Sequence, residues 1–254
     1  MGIFFQIYKT QLETARLKTW IFDVDGTLTP SRCEIDEEFE EFFYDWILQN
    51  NTFLCSGSDL DKLKEQLSPR ILNNVYGVFT CMANAYHESN KEVYKKEFIA
   101  PYGLEEDLKE ILNNSSYKIR TGNHIEERTG AWNFSIVGRN ADVEQRKHFK
   151  EWDDEIQARQ AISSYLNNRY GGVIETSLGG DISIDICNHG YDKRQVVPFL
   201  SDRYGVDFSD ATFIGDRIHQ GGNDYALALA VKAAGGKYIK VDNWSTTRKI
   251  LLNT

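Results

Sequence analysis

Cysteine is scarce and scattered in this chain of 254 residues. Cys33, Cys55, Cys81 and Cys187 form no CxxC pair, which excludes the usual zinc pattern and a small disulfide scaffold. Free thiols in a reducing compartment are the expectation. Long apolar runs are missing as well: none approaches the ~20 residues needed to span a bilayer. The opening Met1-Gly2-Ile3-Phe4-Phe5-Gln6 has neither the basic flank nor the long apolar core of an export signal. It also lacks the Ser or Thr at position 6 that suits myristoylation. Positive charge is in deficit, with a net charge of -9, so the molecule as a whole is not built to track nucleic-acid backbone. These absences predict a cytoplasmic protein with neither a membrane nor a nucleic acid as partner.

Hydrophobic residues at 41% and charged residues at 26% argue for a folded chain, long enough for one large domain or two modest ones. Short apolar runs alternate with helical patterns at both ends: Trp20-Ile21-Phe22, Thr52 to Cys55, Tyr76 to Phe79, then Thr212 to Ile214 and Tyr238 to Val241. Such alternation predicts parallel strands with crossover helices. From about Tyr86 to Cys187 the pattern changes to alternating strands, such as Trp132 to Ile136, with a charged helical stretch from Glu155 to Arg169. Strands with one polar face predict an antiparallel sheet covered on one side. The economical α/β architecture is a parallel core, 1–85 and 189–254, with an α/β domain containing an antiparallel sheet inserted at 86–188.

Ligands of open parallel sheets bind beyond the carboxyl ends of the strands. Asp23 follows the first apolar run directly, and Asp25 returns to the same cleft through the turn Gly26-Thr27. Two carboxylates there divide the work of phosphoryl transfer: one attacks phosphorus, and the other exchanges a proton with the oxygen partner. A carboxylate facing a phosphate dianion needs a cation between them, and magnesium on carboxylate oxygens meets that need. Asp216 after Phe213-Ile214-Gly215, and Asn223-Asp224 before a helix, supply further oxygens. Taken singly, Asn223 or Asp224 also fits a helix cap and Asp216 a strand-end turn. A calcium loop over Asp23 to Glu34 fails at Leu28, where glycine is required.

A local cationic site comes from Arg128, Arg139 and Arg146, whose planar guanidinium groups suit phosphate. Solvated charges paired with Glu127, Asp142 or Glu144 are the alternative. In Asp181-Ile182-Ser183-Ile184-Asp185-Ile186, alternation sets Asp181, Ser183 and Asp185 on one face and three isoleucines on the other. The isoleucines belong against helices. The polar face suits a sugar or plain solvent.

Asp23-Val24-Asp25-Gly26-Thr27-Leu28-Thr29 after a strand resembles the first motif of the haloacid dehalogenase superfamily. The resemblance implies that Asp23 is the nucleophile and Asp25 the acid/base. Ser56-Gly57-Ser58-Asp59 resembles the second motif and Lys193 the third, implying that Ser56, Ser58 and Lys193 hold the phosphoryl group. Asp216 with Gly221-Gly222-Asn223-Asp224 resembles the fourth, implying metal binding by Asp23, Asp25, Asp216, Asn223 and Asp224. Arg128, Asn133, Ser135, Gly138-Arg139 and Arg146, with Leu178 to Asp185 leading into Gly190-Tyr191-Asp192-Lys193, resemble the eukaryotic-type phosphomannomutase family over roughly residues 18–252. That resemblance implies a haloacid dehalogenase-like core with a cap. It also implies a distal phosphate on the arginines, and substrate contacts from Asn133, Ser183 and Asp185. Three segments depart from the family: Arg217-Ile218-His219-Gln220 replaces Lys-Thr-x-Pro, Thr80 to Ala83 replaces Glu-Asn-Gly, and Ser56-Gly57-Ser58 replaces Gly-Gly-Ser. His219 reads as a loop residue rather than a catalyst.

The function so implied is interconversion of mannose 6-phosphate and mannose 1-phosphate through an aspartyl phosphate, with magnesium as cofactor and a hexose 1,6-bisphosphate as activator. The partners implied are a small hexose phosphate and a second copy of the chain, joined through the cap. The rivals are a sugar-phosphate phosphatase using the same core residues, and a non-catalytic sugar-phosphate binder.

Overall fold

The structure, a computed structural model, describes residues 18–31 and 33–254. The segment Met1 to Gln6, read above for export and acylation signals, lies outside the described residues. Among the described residues are eleven strands: β1 (Thr19–Phe22), β2 (Asn51–Cys55), β3 (Gly77–Thr80), β4 (Ala85–Glu88), β5 (Lys91–Lys95), β6 (Ile125–Arg128), β7 (Ala131–Phe134), β8 (Ile174–Gly179), β9 (Ser183–Asn188), β10 (Ala211–Gly215) and β11 (Lys237–Lys240). They form a seven-stranded sheet, β11-β10-β1-β2-β3-β4-β5, and a four-stranded sheet, β6-β7-β9-β8. The chain divides into two compact units, one of the described residues through Lys95 with Tyr191–Thr254, the other Lys96–Gly190.

In the first unit β1 lies centrally, parallel to β10 and β2. Its four residues are all buried, as a strand covered on both faces requires. Successive side chains point to opposite faces. Trp20 and Phe22 pack on one side with Phe39, Phe43 and Ile47 of the helix Glu37–Ile47. Ile21 packs on the other with Phe53, Phe79, Leu200 and Val231. The helix presents its buried residues at i, i+4 and i+8. It starts where the Asp36 carboxylate accepts from Phe39 N, and three glutamates in its first turn complement the helix dipole.

Residues 86–95, grouped with the insertion in the sequence reading, pair onto this sheet instead. β4 runs antiparallel to β3 with Val78 opposite His87, and β5 runs antiparallel to β4. Alternation alone cannot say which sheet a hairpin joins; aromatic packing decides it here. Tyr86 is fully buried, with its ring 4.5 Å from Phe79 and 4.6 Å from Phe199.

The second unit is an antiparallel sheet with one apolar face. Ile182, Ile184 and Ile186 pack with Phe134 against Leu104, Leu108, Phe149 and Leu166 from three helices, Leu104–Asn114, Val143–Ile156 and Ala158–Arg169. The stretch from Glu155 to Arg169, read as one helix, is broken at Gln157, whose φ is 58°. The buried Asp153 carboxylate closes that corner by accepting from Arg159 N at 2.9 Å and Arg159 Nε at 2.7 Å.

Candidate active site

Asp23 leaves the carboxyl end of β1 with its backbone N–H donating to Ile214 O on β10, so its carboxylate sits at the end of the central strands. That carboxylate is almost wholly buried. Its Oδ1 accepts from Lys193 Nζ at 2.6 Å, and its Oδ2 accepts from Thr27 Oγ1 at 3.2 Å. Lys193, 0% exposed, also donates to Asp224 Oδ1 at 2.7 Å, and Asp224 is equally buried. Asp216, just past β10, completes a group of three carboxylates whose oxygens lie within 4.8 Å of one another.

One ammonium cannot balance three carboxylates in so dry a site. Burial pushes the Asp23 carboxyl up to about 7; Lys193 opposes the rise, while Asp224 and Asp216 add to it. Burial likewise raises Asp216, with Asp224 contributing. Burial works against the charge on Lys193, yet Asp224 and Asp23 outweigh it and hold its pKa above the ordinary lysine value. The surplus of negative charge and the all-oxygen donor set suit a hard cation. Asn223 Oδ1 is buried without a hydrogen-bond partner, a further oxygen able to serve one.

Asp25 does not share this cluster. Its carboxylate accepts from Gln66 Nε2 at 2.8 Å and from Ser58 Oγ at 3.3 Å. The sequence reading made Asp25 a metal ligand; its carboxylate is not one of the three clustered ones. Gly26, whose φ is +83°, turns the chain immediately after Asp25. A Cβ at Gly26 would stand 2.5 Å from Asp216 Oδ2. Gly26→Ala is therefore expected to strain the turn and displace the Asp216 carboxylate, costing about 1–3 kcal/mol. Denaturant unfolding measures the cost, and an unchanged midpoint would refute it.

The loop after β2 lies against the site. Ser56 is buried; its backbone N–H donates to Phe79 O, and its Oγ accepts from Ser58 N at 3.0 Å. The segment Cys81-Met82-Ala83, where the sequence departs from the family, holds three consecutive positive φ values of 53°, 60° and 65°. Such backbone is costly for non-glycine residues and persists only where surroundings fix it. Here Cys81 N donates to Ser58 O and Met82 N to Ser56 O, tying the strained turn to the serine loop. His219 is exposed, with its Nδ1 3.1 Å from Gln220 O in its own loop.

In the second unit the other predicted residues gather on the polar face of the four-stranded sheet. Asn133 on β7 lies opposite Asp185 on β9, and its Nδ2 donates to Asp185 Oδ1 at 2.6 Å. Arg128 Nη1 reaches the same oxygen at 3.4 Å, and Arg139 Nη1 donates to Ser183 Oγ at 2.8 Å. Arg146 holds the backbone, donating to Ala141 O and Arg139 O. A Cβ on Gly179 would come within 2.7 Å of Asp185 Oδ2, so β8 must leave room there.

Three participants escaped the sequence reading. Thr27 stands inside the first motif. Gln66 lies four residues after Lys62 on the helix Leu60–Gln66, a spacing that sets the two on one face, and both line the cavity beside Asp25. Glu126, two residues before Arg128 and so on the same strand face, takes Arg128 Nη2 at 2.6 Å and Arg139 Nε at 2.9 Å on one oxygen. The sequence reading named Glu127, Asp142 or Glu144 only as partners in the solvated alternative.

Comparison with known proteins bears on the whole arrangement. The model of the eukaryotic phosphomannomutase family matches residues 39–253. A phosphomannomutase of Drosophila melanogaster is 37% identical, covering 82% of this chain and 84% of the relative. One of Galdieria sulphuraria is 33% identical over 85% and 86%. Among solved structures, a haloacid dehalogenase-like hydrolase of Bacteroides thetaiotaomicron has a TM-score of 0.61 at 15% identity, covering 94% of this chain and 99% of that one. Trehalose-6-phosphate phosphatase of Aspergillus fumigatus has a TM-score of 0.54 at 16% identity, covering 96% and 99%. Those two likenesses establish a haloacid dehalogenase-like fold. The sequence matches, which run through both units, establish more: this chain belongs to the eukaryotic phosphomannomutase family.

Proposed function

We propose that this protein interconverts mannose 6-phosphate and mannose 1-phosphate through a phosphorylated Asp23. The observation that carries the reading is the reach of the family match, 39–253, which takes in the arginine face as well as Ser56, Lys193, Asp216 and Asp224 of the carboxylate site. A phosphatase needs only the second. Asp23 takes a phosphoryl group from a hexose 1,6-bisphosphate: the bond from phosphorus to the sugar oxygen breaks, and a bond to the Asp23 carboxylate forms. Asp25 supplies the proton to the departing oxygen and removes it from the attacking hydroxyl in the return step. Ser56, Ser58 and Lys193 hold the phosphoryl group in place. Arg128, Arg139 and Arg146 bind the phosphate that is not reacting, with Asn133, Ser183 and Asp185 on the sugar.

Asp23, Asp216, Asp224 and Asn223 are the residues that would hold magnesium. The cluster of three carboxylates with the unpartnered Asn223 oxygen fits that ion. Bound magnesium supplies positive charge between the Asp23 carboxylate and the phosphate dianion.

Enzyme given magnesium, mannose 1-phosphate and a trace of bisphosphate is expected to yield the 6-phosphate isomer. EDTA should stop the reaction and added magnesium restore it. Free phosphate without the isomer would establish a phosphatase instead, and full activity in EDTA would remove the metal.

The reading extends to a cytoplasmic homodimer formed through the second unit. No helix among the described residues is long and apolar enough to cross a membrane, which is consistent with that setting. Light scattering should give twice the chain mass, and a monomer would remove the dimer from the reading.

A further inference from the structure

The carboxylate assigned to proton transfer has a partner that no motif supplies. Gln66 is the last residue of the helix Leu60–Gln66 and is 5% exposed. Its Nε2 donates both to Asp25 Oδ1 at 2.8 Å and to Thr29 Oγ1 at 3.3 Å. Thr29 Oγ1 in turn donates to Val24 O at 3.4 Å, so it must act as acceptor toward Gln66. That requirement orients the carboxamide: its NH2, not its oxygen, faces Asp25. The two residues so gripped are the ends of one turn, since Asp25 and Thr29 form a bridge and Gly26 N donates to Thr29 O at 2.9 Å.

The same helix approaches Asp25 from its other end. Ser58, just before the capping residue Asp59, donates to Asp25 Oδ2 at 3.3 Å. Asp25, Ser58, Lys62, Glu65 and Gln66 line a cavity of about 310 Å³ beside the carboxylate. Of the donors from Ser58 and Gln66, that from Gln66 is the shorter and more buried.

We propose that Gln66 is a positioning residue for Asp25, fixing the plane of its carboxylate and closing the turn that carries it. The proposal rests on the proton-transfer role given to Asp25 above. Gln66 touches no reacting atom; it acts through the aspartate. Proton transfer in the transition state is sensitive to such placement, and its geometry is worth one to several powers of ten in rate.

Gln66→Met keeps length and bulk but has no donor. It leaves Thr29 Oγ1 bonded to Val24 O, so folding should survive, with thermal unfolding as the check. The kcat for isomer formation is expected to fall by about 10- to 100-fold while KM for mannose 1-phosphate stays within about twofold. Gln66→Glu, which sets a carboxylate against a carboxylate, should lose at least as much.

The decisive measurement is a double-mutant cycle. In an Asp25→Asn background, Gln66→Met should cost almost nothing further, because the group it positions is already gone. An unchanged kcat in Gln66→Met, or the same fractional loss in both backgrounds, overturns the proposal. If the wild type releases phosphate and makes no isomer, the mutase reading fails. The same cycle, read on phosphate release, then decides the role of Gln66.

Discussion

Asp23→Asn is expected to abolish phosphoryl transfer and, in metal-free protein above pH 7, to raise the unfolding temperature. The first effect follows from chemistry: an amide offers no nucleophilic carboxylate, and removal of a nucleophile of this kind costs on the order of 10^4-fold or more in kcat. The second follows from charge. Asp23 is buried beside Asp224 and Asp216 with one shared ammonium, and its carboxyl is raised from 3.8 to about 7. A carboxyl that ionises less readily in the folded state destabilises the fold once it must ionise. The penalty starts above pH 4 and is complete above pH 7. Asparagine carries no charge there, keeps an oxygen for Lys193 to donate to and escapes the penalty. The gain should shrink toward pH 5, where the wild-type carboxyl is already protonated. Magnesium should reverse the order by stabilising the wild type more. Calorimetry at pH 8 and pH 5, in EDTA, tests the pair of claims. A lower unfolding temperature at pH 8, or undiminished isomer formation, would count against this account of the site.

The trade of stability for reactivity also explains which parts of the site could be read from sequence. Asp23 and Asp216 were legible because phosphoryl transfer needs charged groups at strand ends, and strand ends show as the close of an apolar run; Lys193 was singled out only by the resemblance of its motif. The arginine face was read with two alternatives, phosphate binding or solvated charge, because guanidinium groups suit both phosphate and water. Gln66 and Glu126 were not. A glutamine at the end of a charged helix, or a glutamate among many, carries no mark until the fold brings it to Asp25 or between Arg128 and Arg139. The donors around Asp25 were hidden for a related reason. Spacing says that two aspartates precede one turn, but only the structure shows the Asp25 carboxylate taking donors from Gln66 and Ser58. The strands β4 and β5 fell to the wrong sheet because alternation is common to every half-covered hairpin, while the packing of Tyr86 on Phe79 is a matter of tertiary contact.

Lys193→Met should do the reverse of Asp23→Asn and do it severely. The ammonium is fully buried and bonds Asp23 Oδ1 at 2.6 Å and Asp224 Oδ1 at 2.7 Å, so its loss leaves both carboxylates in the dark without a counter-charge. Breaking a buried ion pair from one side typically costs about 3–5 kcal/mol, a large share of a domain's stability. The native lysine is raised above its ordinary 10.5, so its contribution is present throughout neutral pH and is lost only in strong alkali. The variant behaves differently: its stability should improve as pH falls from 8 to 5, since protonating Asp23 removes the uncompensated charge. A second substitution separates this electrostatic account from simple cavity formation. Lys193→Met combined with Asp23→Asn should recover part of the lost stability, because one of the stranded carboxylates is gone, and should remain inactive. Denaturant unfolding of the single and double variants decides between them. If the double variant is less stable than Lys193→Met alone, the lysine is held by packing, and Asp23 is not the charge it answers.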